Sequence, residues 1–255
     1  MSALHDALRE TAREFVRREV APYLQDWEDA GEVPRSLHLA AAEKGLLGVS
    51  FPESVGGGGG DLLDSVAVME GMLGAGASSG LLAALFTGGI ALPHIAASGN
   101  ADLVGRFVRP ALAGVKIGAL AITEPGGGSD VAAIRTTARR DGDAYVVDGT
   151  KTFITSGARA DFVTLAVRTG GPGHGGISLL VVEKGTPGFT VDRSLAKLGW
   201  LCSDTAELGF ASVRAHARNL VGAENSGFAQ IAEQFVVERI ALAVHGYGIA
   251  ARSRQ

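Results

Sequence analysis

A single cysteine, Cys202, stands in 255 residues, so no internal disulfide can form and a reducing compartment is permitted. Basic charge is not in excess: 23 Lys and Arg against 27 Asp and Glu give a net charge of −4. That balance offers no electrostatic ground for nucleic acid or an anionic membrane as partner. The opening MSALHDALRE lacks the apolar run of an export signal, so the expected location is cytoplasmic. The six histidines form no i, i+4 pair, and no metal site is expected. A last absence points the other way. Between Gly71 and Ala101 there is no Asp, Glu, Lys or Arg, a stretch long enough to span a bilayer. Gly74, Gly76, Ser78–Gly80 and Thr87–Gly89 interrupt it, and no basic cluster or aromatic belt frames it. It reads as helix buried in a water-soluble core.

What is present divides the chain in three. Leu4, Leu8, Phe15, Val16, Val20, Leu24 and Trp27 recur at three- and four-residue steps and predict helix. Further helices are expected over Ser36–Lys44, Leu62–Leu73 and Leu81–Ala97, with Pro52 and Gly56–Gly60 forcing a loop between the first two. Near Val115 the period changes to two. Strands are expected at Lys116–Ile122, Ile134–Arg140, Ala144–Val147, Lys151–Thr155, Phe162–Arg168 and Ile177–Glu183, with Asp141-Gly142-Asp143, Asp148-Gly149 and Thr186-Pro187-Gly188 as turns. Short strands in succession favour an antiparallel barrel or sandwich over βαβ units. Helical period returns after Gly222, with Phe228, Ile231, Phe235, Leu242 and Ile249 on one stripe. The expected class is α+β: a helical domain over 1–114, a β domain over 115–222, and over 223–255 the first helix of a C-terminal bundle.

Two pattern matches fail on context. Gly171–Gly176 satisfies G-x-G-x-x-G, but a strand follows where a pyrophosphate site needs a helix N-terminus. Gly76–Gly80 satisfies G-x-S-x-G without the preceding strand that would strain the serine.

Thr123-Glu124-Pro125-Gly126-Gly127-Gly128-Ser129-Asp130 taken alone reads as a wide turn, with glycine supplying positive φ and Pro125 fixing the start. It does not stand alone. Asp148–Gly157 (DGTKTFITSG), Leu198–Thr205 (LGWLCSDT) and Asn219–Gly222 (NLVG), followed by Gly227-Phe228, come after it in order, and Gly45–Gly48 with Pro52-Glu53 precede it. Together they resemble the acyl-CoA dehydrogenase family over almost the whole chain, with Phe153 where that family often has Trp. The resemblance implies FAD against the β domain: its ring edge at Leu120, Ile122, Thr123, Phe153 and Thr155, its ribityl-pyrophosphate at Gly128 and Ser129. It implies an acyl-CoA substrate contacted by Ser129 and Arg239, electron-transfer flavoprotein as electron acceptor, and a homo- or hetero-oligomer.

Loss of an α-proton from a thioester needs a placed carboxylate. Glu238 lies three residues after Phe235 and four before Leu242, inside the apolar stripe. Periodicity admits two readings: a desolvated carboxylate suited to general-base work, or, with the helix slightly rotated, a structural ion pair. A minority of the family carries its base on this helix just before an arginine, so the resemblance implies that Glu238 is the base. It also implies further helices beyond the position of Gln255, so the chain reads as truncated, with an uncovered stripe that favours association. A partner chain supplying those helices, an inactive flavin- or CoA-binding fragment, and a flavin-dependent oxidase or oxygenase of the same fold are the alternatives.

Overall fold

A computed structural model describes residues 2–254. Helix α1 (Ala3–Phe15) starts at a reciprocal cap in which the Ser2 hydroxyl accepts the His5 N–H and the His5 ring accepts the Ser2 N–H. The chain continues through a π turn, Val16–Val20, into α2 (Leu24–Ala30), which stops on Gly31 at φ 81°. Pro34 precedes α3 (Arg35–Glu43). The five-glycine loop is tightly folded. Gly58 and Gly60 donate to the carbonyls of Gly48 and Val49, at 2.8 and 2.9 Å. A Cβ on Gly57 would lie 2.1 Å from the Phe51 carbonyl, so only glycine allows this close wrap.

Asp61 caps α4 (Leu62–Gly74) through its Oδ1, which accepts the N–H groups of Leu63 and Asp64. Helices α1 and α4 approach closely because Gly71 has no Cβ, which would sit 2.5 Å from the Arg9 carbonyl. The expected helix Leu81–Ala97 is instead three short ones, α5 (Ser79–Leu85), α6 (Gly88–Ala91) and α7 (Pro93–Ala97). The Gly88-Gly89 pair and Pro93 account for the breaks, and the path bends by 51° after α5. Leu81, Leu82, Leu85, Leu92 and Ile95 are buried as expected. Among the described residues no single helix is long and apolar enough to cross a membrane, although this bent pair passes by length and composition. Helix α8 (Ala101–Leu103), a π turn at Val104–Val108, and α9 (Arg109–Leu112) complete the first part.

The strands are β1 (Gly118–Ala121), β2 (Thr137–Asp141), β3 (Ala144–Thr155), β4 (Phe162–Arg168), β5 (Ile177–Glu183), β6 (Phe189–Ser194), β7 (Thr205–His216) and β8 (Leu220–Val221). They form one sheet in the order β6-β7-β3-β2-β4-β5-β8, with β1 beside β4. Pairing is antiparallel except for β1 and β2 against β4. Asp148-Gly149 is not a turn. The strand runs straight through it as a bulge opposite β7, with Gly149 at φ 151° and its missing Cβ 2.5 Å from the Thr136 hydroxyl.

Leu165, Leu180, Leu208 and Tyr145 fill the sheet's own core. A second core lies among the N-terminal helices, and a third, with Leu92, Phe107, Phe162, Leu179 and Ile231, joins helices to sheet. Helix α10 (Gly227–Arg252) closes the chain. It is anchored at both ends, by Gly227 and Ile231 near β5 and by Val244 and Gly248 against α4.

Candidate functional site

Lys151 organises the glycine-rich turn. It is fully buried, and its ammonium donates to the Ile122 carbonyl and to Glu124 Oε1, both at 2.8 Å. The Glu124 carboxylate also accepts the N–H groups of Arg135 and Thr136, at 2.7 and 2.9 Å. Burial pushes the Lys151 ammonium down to about 8 while Glu124 opposes the shift. Lys151, Arg135 and Thr136 together hold the Glu124 carboxyl below its ordinary range, so the pair stays ionised at neutral pH. Thr152 N–H donates to the Thr123 carbonyl at 2.9 Å, which lays Ile122-Thr123 along β3.

Five of the seven residues implied for FAD, Leu120, Ile122, Thr123, Phe153 and Thr155, thus sit on β1, β3 and the join between them. Gly128 folds back toward Thr123, whose Cγ2 would be 3.2 Å from a Cβ there, and Ser129 is exposed beside it. The reading of positive φ for this turn is corrected: none of Gly126, Gly127 and Gly128 is left-handed. The turn is closed by mutual backbone hydrogen bonds between Glu124 and Gly127 instead. Gly126 and Gly127 have no heavy atom within 4 Å of a Cβ position, so their bare backbone faces open space. Phe153 has φ 58° and is 68% exposed, at the register shift between Lys151 and Ile154. A large aromatic held in a strained conformation and turned outward is a face prepared for a flat group. Exposed ring, bare backbone and flanking Thr hydroxyls fit a flavin.

Glu238 lies elsewhere, at mid-length on α10. Its side chain enters an apolar cavity of about 130 Å³ walled by Leu46, Val49, Phe51, Val68, Met69, Phe86 and Ala241, among others. Oε1 is buried without a hydrogen-bond partner. Burial pushes the carboxyl up to about 7 against a weaker opposing pull from Arg239. No ion pair among the described residues involves Glu238, so the structural-pair alternative is not what the helix adopts. The expected stripe is also corrected. Leu242 and Ile249 are 58% and 44% exposed, and the inward face runs through Ile231, Glu238, Ala241, Val244 and Gly248. Arg239 is exposed, its guanidinium 5.9 Å from the Phe235 ring centroid and outside the cavity wall.

The two regions share one border. Leu120 from β1 and Phe228 and Phe235 from α10 pack against the same junction core. The third motif holds the end of β3: Ser156 and Ala158 donate their N–H groups to the Asp204 carbonyl and carboxylate, at 2.9 and 2.8 Å. Sequence reading missed the Lys151–Glu124 pair and the cavity walls, because both join residues far apart in the chain. It also missed that His5, Asp61 and Asp64 meet with ligand atoms within 4.8 Å. The α4 cap and a 3.4 Å contact between His5 and Asp64 account for that cluster. Of the refused matches, the motif serine, Ser78, is the N-cap of α5, accepting the Leu81 N–H at 3.0 Å and donating to Glu28 Oε1 at 2.6 Å, and Gly171–Gly176 leads directly into β5.

Comparison with known proteins agrees with this geometry. The N-terminal domain model of the acyl-CoA dehydrogenases matches residues 2–115, and the middle domain model matches 119–213. The long-chain specific acyl-CoA dehydrogenase of Rattus norvegicus mitochondria is 41% identical over 95% of this chain, and an acyl-CoA dehydrogenase of Bacillus subtilis is 35% identical over 95%. The chain spans 56% of the rat relative's length and 64% of the Bacillus one's. A crystal structure described as a probable acyl CoA dehydrogenase from Mycobacterium abscessus superposes with TM-score 0.97 at 63% identity, covering 99% of this chain and 67% of that one. On these matches and on the site just described, the chain belongs to the acyl-CoA dehydrogenase family.

Proposed function

We propose that the chain carries out FAD-dependent α,β-dehydrogenation of an acyl-CoA thioester, with Glu238 as the base that removes the α-proton. The observation that supports this most is the half-buried Glu238 carboxyl at the wall of an apolar cavity, its Oε1 buried without a hydrogen-bond partner. An acyl chain fits such a cavity, and a carboxyl raised to about 7 is both available as base and strong enough to act at neutral pH. Leu120, Ile122, Thr123, Phe153 and Thr155 would hold the flavin ring, and Gly128 and Ser129 its phosphate-bearing arm. FAD bound there supplies the acceptor for the β-hydride. Phe153 orients the group by stacking, Ser129 and Arg239 contact the substrate's polar part, and the apolar walls keep water from the carboxylate. The proposed division is a helical domain over 1–114, a β domain over 115–222, and a C-terminal helical part from 223. Electron-transfer flavoprotein is the proposed acceptor of the electrons, and an oligomer the proposed state.

The purified chain, supplied with FAD, should be yellow and should bleach when acyl-CoA is added without oxygen. Glu238→Gln should stay yellow and lose the bleaching by about a thousandfold or more in rate, since the proton would have no acceptor. Bleaching at an unchanged rate in Glu238→Gln would remove Glu238 from its role. A yellow protein that no acyl-CoA bleaches favours the inactive-fragment reading, and bleaching restored by a second chain favours the heteromer.

A further inference from the structure

Trp200 is held where a large side chain rarely rests. Its φ is 56°, in the left-handed region, and a Cβ on Gly80 would lie 2.7 Å from its Cα. Such strain persists only where the surroundings fix it. The Glu28 carboxylate accepts the Cys202 N–H at 3.0 Å and the Cys202 thiol at 3.2 Å, and the Ser203 N–H donates to the Trp200 carbonyl at 3.1 Å. On the other side the Trp200 ring lies 6.0 Å from the His245 ring of α10, tilted by 53°. His245 Nδ1 and the hydroxyl of buried Ser79 share a hydrogen bond of 2.9 Å. Burial holds the imidazole below its ordinary range, so it is neutral at neutral pH. Both ends of this contact lead to the proposed site. His245 follows Glu238 by seven residues, two turns along the inward face of α10, so the two side chains share one rigid element. Trp200 belongs to the loop that continues through Cys202 to Asp204, whose carbonyl and carboxylate hold Ser156 and Ala158 directly after Thr155.

We infer that His245 is a positioning residue: by bonding Ser79 and packing on Trp200 it fixes α10 against the loop that holds the end of β3, and so sets the Glu238 carboxylate at its working distance from the flavin strand. The inference rests on Glu238 as the base. His245 is outside the walls of the Glu238 cavity, so it acts through α10 and not on the substrate. A displacement of about 1 Å between reacting groups can cost on the order of a hundredfold in rate. The contact therefore matters to the rate far more than to the binding of either ligand.

The test compares the unaltered full chain with His245→Leu, His245→Asn and Ser79→Ala. Leucine removes the hydrogen bond and keeps the bulk, whereas asparagine keeps a neutral hydrogen-bonding group near the place of Nδ1. Amide exchange, read without FAD, should be about tenfold or more faster at Ser156 and Ala158 in His245→Leu, with β4 and β5 unchanged. Saturating octanoyl-CoA is then added to the chain supplied with FAD, with oxygen excluded. The bleaching rate should fall about tenfold or more in His245→Leu and in Ser79→Ala, while the dissociation constants of both ligands change less than about twofold. His245→Asn should recover most of the rate. Unchanged exchange at Ser156 and Ala158, an unchanged saturating rate, or losses of affinity as large as the loss of rate each overturn the inference alone. So does faster exchange throughout the chain, or His245→Asn no better than His245→Leu, since the contact would then only stabilise the fold. An unaltered chain that no acyl-CoA bleaches overturns the proposed function and this inference with it.

Discussion

Ionising Glu238 places a charge where neither a counter-charge nor a hydrogen-bond donor meets Oε1. Two pH effects follow. Proton abstraction needs the carboxylate, so the anaerobic bleaching rate should rise with pH around a midpoint of about 7 and level off above it. Stability runs the opposite way. The unfolded carboxyl ionises near 4.5 and the folded one near 7, so the unfolded chain releases its proton first and stability falls between those values. Glu238→Gln should therefore gain about 1–2 kcal/mol above that window in urea unfolding, with partial exposure discounting the full shift. His94 adds an acid limb. It is 1% exposed with neither ring nitrogen partnered, and burial holds it down at about 4. As pH falls from 6.5 to about 4 the unfolded chain takes up a proton that the folded one refuses, and stability falls. His94→Leu should flatten that limb by about 1–3 kcal/mol, read as the difference between acidic and neutral urea midpoints. Lys151→Met, which strands the buried Glu124 carboxylate, should cost about 3–5 kcal/mol, and adding Glu124→Gln should recover part of it.

At the scale of elements, the legible parts were those whose signals are local. The short apolar runs of β4 and β5 and the return of helical period after Gly222 lie within a few residues of what they specify. Asp148-Gly149 misled because the same dipeptide suits a hairpin or a bulge, and only β7 and Thr136, distant in sequence, decide between them. Gly149→Ala should cost about 2–4 kcal/mol, from its φ and the hydroxyl in its way, as measured by chemical denaturation. Strand β7 was not foreseen because its alternation flips: Leu208, Gly209 and Phe210 are buried in succession, and Ser212 at φ 52° resets the face. Strand β6 is almost wholly exposed and carries no apolar face to read. The inward placement of Glu238 followed from the Glu-Arg motif, not from the expected stripe, two of whose members, Leu242 and Ile249, face outward. Its surroundings were not legible, since the cavity walls come from Leu46 to Ile90, on the far side of the whole β region in sequence.

For the molecule as a whole, the outer face of α10 is the least settled surface. Val236 and Ile240, one helical turn apart, are both exposed, with Ala243 and Tyr247 continuing the same face. A face of this kind favours association. Sedimentation should show mass rising with concentration, and Val236→Glu with Ile240→Glu should reduce it. Sedimentation identical before and after the change would place the contact elsewhere. The two ends of the main strand order, by contrast, are closed to addition. One boundary strand, β8, offers two residues. The other, β6, is interrupted by a bulge at Val191–Arg193 and carries Asp192 and Arg193. Short, charged and bulged borders refuse a further strand from another molecule. Clusters of this chain should therefore form by helix against helix, and even a concentrated preparation should give no cross-β reflection at the inter-strand spacing.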